Sequence, residues 1–540
     1  MKLIGIRFWR GKMFKRLQQL LVIGAAVAAI GGCGPGLDSL GIYKLGGTIS
    51  GLTGTVTLQN NGGDDLTLNA DGSFTFGKTV AKGASYEVTV RSQSAGQNCS
   101  VSSGTGTATA NVSSVSVLCV VSSTKQVGAQ GASTRAVSVT TDAIGNFYVV
   151  GDTSGVLDTT LSKAIGNTDF FVTKYNSSGV KQFTKQVGVA GADTSGLSVA
   201  TYQTLSFYVV GTTSGLLDPD LSAAMGLSDC FITKYSGDGT LIYTKQLGAT
   251  DAKTTGHAVA TGSSDNVYVV GETTGGLNND MQRGNTDSFV AIFDSTGTLK
   301  STTQLGSLGT DTFGRAVATD ISGNVYVVGD TGGTLSSGTA GVSDAFLAKY
   351  RTSSNGSLSL EFIKQLGATG AYTYGRSVKI DSSGNVYVVG ETSGTLPLAN
   401  ARTGATDFFV VKYDSAGTQL FIKQLGGLPG TNTVARSVVA DSNGNVFVAG
   451  ETTGVLEGNT AMGATDFFVT KYDSNLVKRT TRQLGVAGAY TYGQSVASNA
   501  SGGVYVVGYT TGGLDGNVLT GITDFFVTKY NSALDKQLFQ

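Results

Sequence analysis

The sequence predicts an all-β protein, a seven-bladed β-propeller of four-stranded blades preceded by a small β-sandwich. Three observations predict it. The phrase GNVYVVGET at 384 recurs as GNFYVVGDT at 145, LSFYVVGTT at 205, DNVYVVGET at 265, GNVYVVGDT at 323, GNVFVAGET at 444 and GGVYVVGYT at 502. Its copies start 58 to 61 residues apart, and each interval holds four strand-like runs. Gly contributes 79 of 540 residues and Pro only 4, a balance that suits many tight turns between strands and excludes a disordered linker.

The N-terminal stretch reads as an address. Six Lys and Arg residues and no acid precede the apolar run Leu20–Ile30, which ends in Gly31-Gly32-Cys33. A basic head, a short apolar stretch and small residues before a cleavage point make residues 1–32 a secretory signal. Ile30-Gly31-Gly32-Cys33 resembles a bacterial lipobox. The resemblance implies that Cys33 becomes the lipidated first residue of the mature chain and carries it on the membrane. Gly34, where Asp would imply inner-membrane retention, points to the outer membrane and the cell surface, with the periplasmic face as alternative. Translation starts at Met1 or Met13. Removal of 1–32 takes away the single tryptophan, Trp9, and leaves 31 basic against 37 acidic residues.

Residues 33–43 are a tether. Over 44–121, period-two alternation in GTVTLQNN, DDLTLNADGSFTF and SYEVTVRSQ, with turns at NGGD and ADGS, predicts an antiparallel β-sandwich. It resembles the Ig-like modules near the N-terminus of bacterial surface lipoproteins, which implies a spacer. Cys99 and Cys119 bracket a strand-turn-strand stretch and are expected to form a disulfide, in keeping with a compartment outside the cytoplasm. Cys230 stands where a sister copy has Phe170 and is expected to be a buried small hydrophobe.

Residues 122–540 hold the seven copies. In the fifth the four runs are RSVKI, NVYVVGE, DFFVVKY and TQLFIKQL. Fixed repetition of such a unit is the pattern of a propeller, whose blades cannot bury their faces alone. The pattern D-x-x-G-N-V-Y-V-x-G followed by T-D-x-F-V-x-K-Y resembles the SBBP family of β-propeller repeats, a family that implies a fold and no particular reaction. The last copy stops at Lys536-Gln537-Leu538-Phe539-Gln540, short of the usual K-Q-L-G. A spare Lys125-Gln126-Val127-Gly128 precedes the first blade, so the ring is expected to close with Lys125–Val127 beside the C-terminal strand.

Short turns such as DSSGN and DSAG belong to one face and the long connections to the other, where variable function is carried. Asp169, Asp229, Asp287, Asp344, Asp407, Asp466 and Asp524 open every third strand and are expected to pin the long loop by accepting backbone N–H groups. Leu157, Leu217, Leu277, Leu335, Leu396, Leu456 and Leu514 are its expected buried anchors. Entering the first strand, Val137, Leu197, His257, Arg315, Arg376, Arg436 and Gln494 vary. So do Asp152, Thr212, Glu272, Asp330, Glu391, Glu451 and Tyr509, expected opposite them as cross-strand partners. Two residues earlier stand Arg135, Ser195, Thr255, Phe313, Tyr374, Val434 and Tyr492. Phe313, Arg315, Tyr372, Tyr374, Arg376, Arg436, Tyr490 and Tyr492 form the candidate ligand-binding set. Aromatics beside arginines have the composition of a protein-binding surface, and loop packing explains them equally well.

The chain has one histidine, His257, and no cysteine or histidine cluster with zinc spacing. Neither a P-loop nor a dinucleotide fingerprint is present. With 14% charged residues and no basic stripe, nucleic acid is excluded as a partner. No catalytic residue, metal or cofactor is assigned. The expected function is a lipid-anchored, non-catalytic binding, adhesion or scaffold module engaging a protein or other macromolecule on the long-loop face. The alternatives are an envelope component without a discrete ligand and an enzyme acting on an external polymer.

Overall fold

The computed structural model describes residues 41–94, 97–203, 205–262, 266–336, 340–353 and 356–539. The signal segment, Cys33 and most of the tether lie outside the described residues. Strands and their connections make up the described residues, in which the one helical element is a short 3-10 turn, Leu514–Gly516, and the chain divides into two compact units, with the second taking over from Val120.

In the first unit, β1 (Ile42–Tyr43), β2 (Leu45–Ser50), β3 (Val56–Asn60), β4 (Asp64–Leu68), β5 (Gly72–Thr75), β6 (Val80–Ala81), β7 (Ser85–Gln93), β8 (Gln97–Ser102), β9 (Thr105–Thr107) and β10 (Val112–Val121) follow in order. They form two four-stranded sheets, β5-β2-β10-β8 and β4-β3-β7-β9, with β1 and β6 as a separate pair. The inward residues of both sheets, among them Leu45, Ile49, Val56, Leu58, Val88, Val115 and Val117, share one core. Alternation produces this, since every second side chain of a strand faces the same way. One pairing departs from the antiparallel expectation: β10 runs parallel to β2. Parallel neighbours need a long crossover, and here β3 to β9 supply it. Cys99 on β8 and Cys119 on β10 are joined by a disulfide.

In the second unit, β11 (Thr124–Val127) precedes seven four-stranded antiparallel sheets. The strands of the first blade are Thr134–Thr141, Phe147–Thr153, Asp169–Tyr175 and Lys181–Val187, in spatial order first to fourth. The recurring phrase is the second strand. Its Tyr and Val side chains alternate between the two faces of the blade, so each core joins two neighbouring blades. Tyr148 and Val150 meet Phe207 and Val209 of the next blade, and Tyr208 and Val210 meet Val267 and Val269 of the one after. Burying each such side chain is worth about 1.5–3 kcal/mol, available only when blades stack.

First strands of successive blades neighbour one another around a channel, and the first blade meets the seventh. In that seventh blade the fourth strand is β11, antiparallel to Asp524–Tyr530 with Lys125 opposite Val527. The ring therefore closes as the spare K-Q-V-G implies. Lys536–Phe539 adds no further ladder strand. It bridges Tyr530 through Lys536 and buries Phe539 against Phe147 of the first blade.

Each Asp that opens a third strand does structural work. Asp169 accepts the N–H groups of Ile165 and Gly166 and the side-chain amide of Gln186 at 2.7–2.9 Å. Gln186 in turn accepts the N–H of Leu157. Asp524 repeats the arrangement with Thr520, Gly521 and, from β11, Gln126. Of the loop leucines, Leu277, Leu396, Leu456 and Leu514 are fully buried, whereas Leu157, Leu217 and Leu335 are half-buried.

Candidate functional site

The site is a belt of charged and aromatic side chains where the first strands begin, on the long-loop side of the channel. A β-bulge builds it. In the first blade the register shifts between Ala136 and Ser138, so Val137 has no partner on the second strand, and the same shift occurs in all seven blades. A bulge bends the strand and re-aims the side chain it carries. It also explains the glycine of the recurring phrase. A Cβ on Gly390 would lie 1.8 Å from the carbonyl oxygen of Tyr374, and a Cβ on Gly450 1.9 Å from that of Val434.

The bulge corrects the expected pairing. Directly opposite Asp152, Asp330, Glu391 and Glu451 stand Arg135, Phe313, Tyr374 and Val434, not the residues two places on. The salt bridges form nonetheless, because the bulged side chain swings back to the acid. Arg376 donates through Nε to Glu391 at 3.0 Å, and Arg436 through Nε to Glu451 at 2.9 Å. Arg315 is shared: Nε reaches Asp330 at 3.4 Å and Nη1 reaches Glu272 of the preceding blade at 3.0 Å. His257 Nε2 contacts the same Glu272 oxygen at 2.9 Å. In the first blade, where Val137 carries no charge, Arg135 grips Asp152 with two bonds of 2.9 and 3.0 Å.

Aromatic rings stack into this belt. The guanidinium of Arg315 lies 4.5 Å from the Phe313 ring centre and that of Arg376 5.1 Å from Tyr374, within cation–π range. Tyr372 stacks on Tyr374 at 6.1 Å and Tyr490 on Tyr492 at 6.3 Å, while Tyr492 meets Tyr509 at 4.8 Å. Tyr372 and Tyr490 remain 49% and 48% exposed, which makes them the outward-facing members. The structure thus joins Phe313 to Arg315, Tyr372 to Tyr374 and Arg376, and Tyr490 to Tyr492. Arg436, flanked by Val434, has no ring of its own blade beside it.

The carboxylates differ in environment. Burial pushes Asp152 and Asp330 up from the usual range against the pull of Arg135 and Arg315. Burial likewise raises Glu451, against Arg436, and the nearby Glu391 adds to the rise. Glu272 is also raised by burial, but the bond and charge of His257 together with Arg315 outweigh it and bring the carboxyl below its ordinary value. Two atoms of the belt stand out. Glu451 uses one oxygen for Arg436 and leaves Oε2 buried with no partner, and the Thr212 hydroxyl of the second blade is buried and unpartnered too. The second blade, with Ser195, Leu197 and Thr212, places neither a charge nor an aromatic ring in the belt. Among the described residues no group of His, Cys, Asp and Glu is arranged to hold a metal ion.

Below the belt the first strands line a channel cavity of about 370 Å³. Its one titratable lining residue, Lys379, escaped the sequence reading. The signal was present: Thr140, Ala200, Ala260, Ala318, Val439 and Ala497 hold the same place in the other blades.

Five segments, 242–278, 302–335, 361–397, 420–457 and 481–515, match the family model SBBP, described as a beta-propeller repeat. The chain carries SBBP beta-propeller repeats. Each matched SBBP segment begins on the fourth strand of one blade and ends after the second strand of the next, so repeat and blade are out of phase, as the closing strand β11 requires. Regulatory protein FlaEY of Caulobacter vibrioides is 26% identical over 378 residues, covering 64% of this chain and 38% of that protein. The match with the SBBP-bearing chain therefore spans well under half of that relative's length. Among solved structures, a Lactobacillus plantarum protein is similar at 12% identity and a TM-score of 0.38, over 65% of this chain and 85% of that one. An α-L-arabinofuranosidase from Fusarium graminearum is similar at 10% identity and a TM-score of 0.36, over 75% and 98%.

Proposed function

We propose that the propeller is a non-catalytic binding module that engages a protein or other macromolecule on its long-loop face. A lipid at Cys33 would hold it at the outer surface of a bacterial outer membrane, with the first unit as an Ig-like spacer. The observation that carries this reading is the belt itself. Paired arginines and acids, with half-exposed Tyr372 and Tyr490 at its rim, offer polar and aromatic contacts on a rigid frame, the composition of an interface centre.

The test is site-specific photo-crosslinking in intact cells from Tyr372 and Tyr490, with Ile321 as control on the short-turn face, where it is 94% exposed. A discrete adduct from both tyrosine positions and none from Ile321 is the expected result. Equal labelling from all three, or none, would overturn the reading. Protease shaving of the same cells, with a Cys33→Ala variant, tests the anchor and the surface location separately.

A second reading has one observation in its favour. Glu451 is a buried carboxyl raised by its surroundings, as a general acid requires, and an external polymer would reach its unengaged oxygen only by displacing the groups that cover it. Loss of a polysaccharide-cleaving activity in Glu451→Gln would support that alternative.

A further inference from the structure

The channel holds an unusual charge. Twenty-one of the residues that line it are uncharged, Val, Ala, Ile, Ser and Thr, and the twenty-second is Lys379. No salt bridge or side-chain hydrogen bond within the described residues engages its ammonium, although the other channel-side polar groups are largely committed. Thr141, Thr201, Thr261 and Thr319 each give their hydroxyl hydrogen to a carbonyl of the preceding blade at 2.9–3.1 Å. The acid nearest in sequence, Asp381, is saturated by Ser383 and Asn385 N–H groups, the Asn385 amide and the Tyr387 hydroxyl. It has no oxygen left to turn toward Lys379.

The Lys379 side chain is exposed to the channel and is not packed into the blades, so its ammonium stands in the channel with no counter-charge beside it. The fold does not demand that charge. Small or apolar residues serve at the same place in all six sister blades, so a seven-bladed ring is built equally well without the lysine. Hydroxyl donors stand in the same lining. Ser437 and Ser495 each accept an N–H from the next blade through Oγ, at 3.1 and 3.3 Å, which leaves their own hydrogens to be given inward. One cation, several hydroxyl donors and no acid are the complement of an oxyanion.

We propose that the propeller channel is a binding site for a small oxyanion, of the phosphate, sulfate or carboxylate class, held by Lys379 with the seryl hydroxyls of the sixth and seventh blades. The site is independent of the belt at the long-loop mouth and of whatever partner that belt takes.

The test uses the purified protein with lysines dimethylated by ¹³C-formaldehyde, which keeps their charge. The Lys379 signal is identified by its absence in Lys379→Ala, or in Lys379→Thr, which installs the first blade's residue. Phosphate, sulfate and acetate are then titrated separately at constant ionic strength against sodium chloride. The expected result is a saturable shift of the Lys379 signal with at least one oxyanion, and a rise in melting temperature with that anion that both variants lose. Which anion saturates distinguishes an inorganic ligand from a carboxylate. A Lys379 signal that moves no more than those of surface lysines, or that moves equally with chloride, overturns the proposal. The wild-type titration decides the matter even if a variant fails to fold.

Discussion

Gln126 donates its side-chain amide to the Asp524 carboxylate at 3.0 Å, across 398 residues of sequence, and so repeats the contact that Gln186 makes with Asp169 inside one blade. The same glutamine also accepts the N–H of Leu514. Ring closure thus reuses the internal grammar of a blade.

Gln126→Ala is expected to cost about 1.5–3 kcal/mol, the range for a bond to a charged acceptor whose partner stays buried. Urea unfolding of the variant checks it, with Gln186→Ala as the internal comparison. A loss below about 0.5 kcal/mol, ordinary for an inconsequential surface change, would mean that the closing strand adds little.

Gly390→Ala tests the bulge. A methyl placed 1.8 Å from a backbone carbonyl forces the first strand to move, and overpacking of this kind costs about 1–3 kcal/mol. The Arg376–Glu391 pair depends on the same bulge, so the variant should also change the Tyr374 ring environment in NMR spectra. Unchanged stability together with unchanged ring signals would show that the bulge is not what fixes this glycine.

Acid and base titration separate two carboxylates of the belt. Glu272 lies below its ordinary 4.5, so its stabilising contribution is present above that value and is lost as pH falls through the folded value. Glu451 lies above 4.5, so the folded state gains stability as pH falls through its raised value. The stability advantage of wild type over Glu272→Gln should therefore shrink below pH 4.5. The advantage over Glu451→Gln should grow on acidification from neutral. Parallel changes in the two variants would contradict the assigned environments.

Cys230 should be inert in the folded protein. It is 1% exposed and burial pushes its thiol far above the usual range, which removes the reactive thiolate. Iodoacetamide at pH 8 should leave it unmodified until denaturant is added. Rapid labelling of the native protein would refute the packing described.

Much of this architecture was legible in the residues. A unit repeated at 58 to 61 residues dictates stacking, and the spare K-Q-V-G before the first blade reveals how the ring shuts. The role of the repeated Asp followed from its use in every blade. What the residues concealed has physical causes. Period-two alternation gives the face of a strand but not an extra residue in it, so Arg376 was aligned with Glu391 directly instead of through a bulge. Lys379 was hidden for a related reason: strand periodicity sorts side chains between the two blade faces and does not distinguish those near the channel. The parallel pairing of β10 with β2 depends on a contact across seven intervening strands, which no local pattern encodes.

The shared seventh blade also sets a schedule. During synthesis, Thr124–Val127 leaves the ribosome some 400 residues before Asp524–Tyr530, the strand it must pair with. Until then the growing chain is an open arc with one unpaired strand at its leading end and a bare blade face at its trailing end. Exposed edges and apolar faces of this kind attract other chains. The closing pair is therefore the contact that covers both ends of the arc at once, and it forms only when the last repeat is complete.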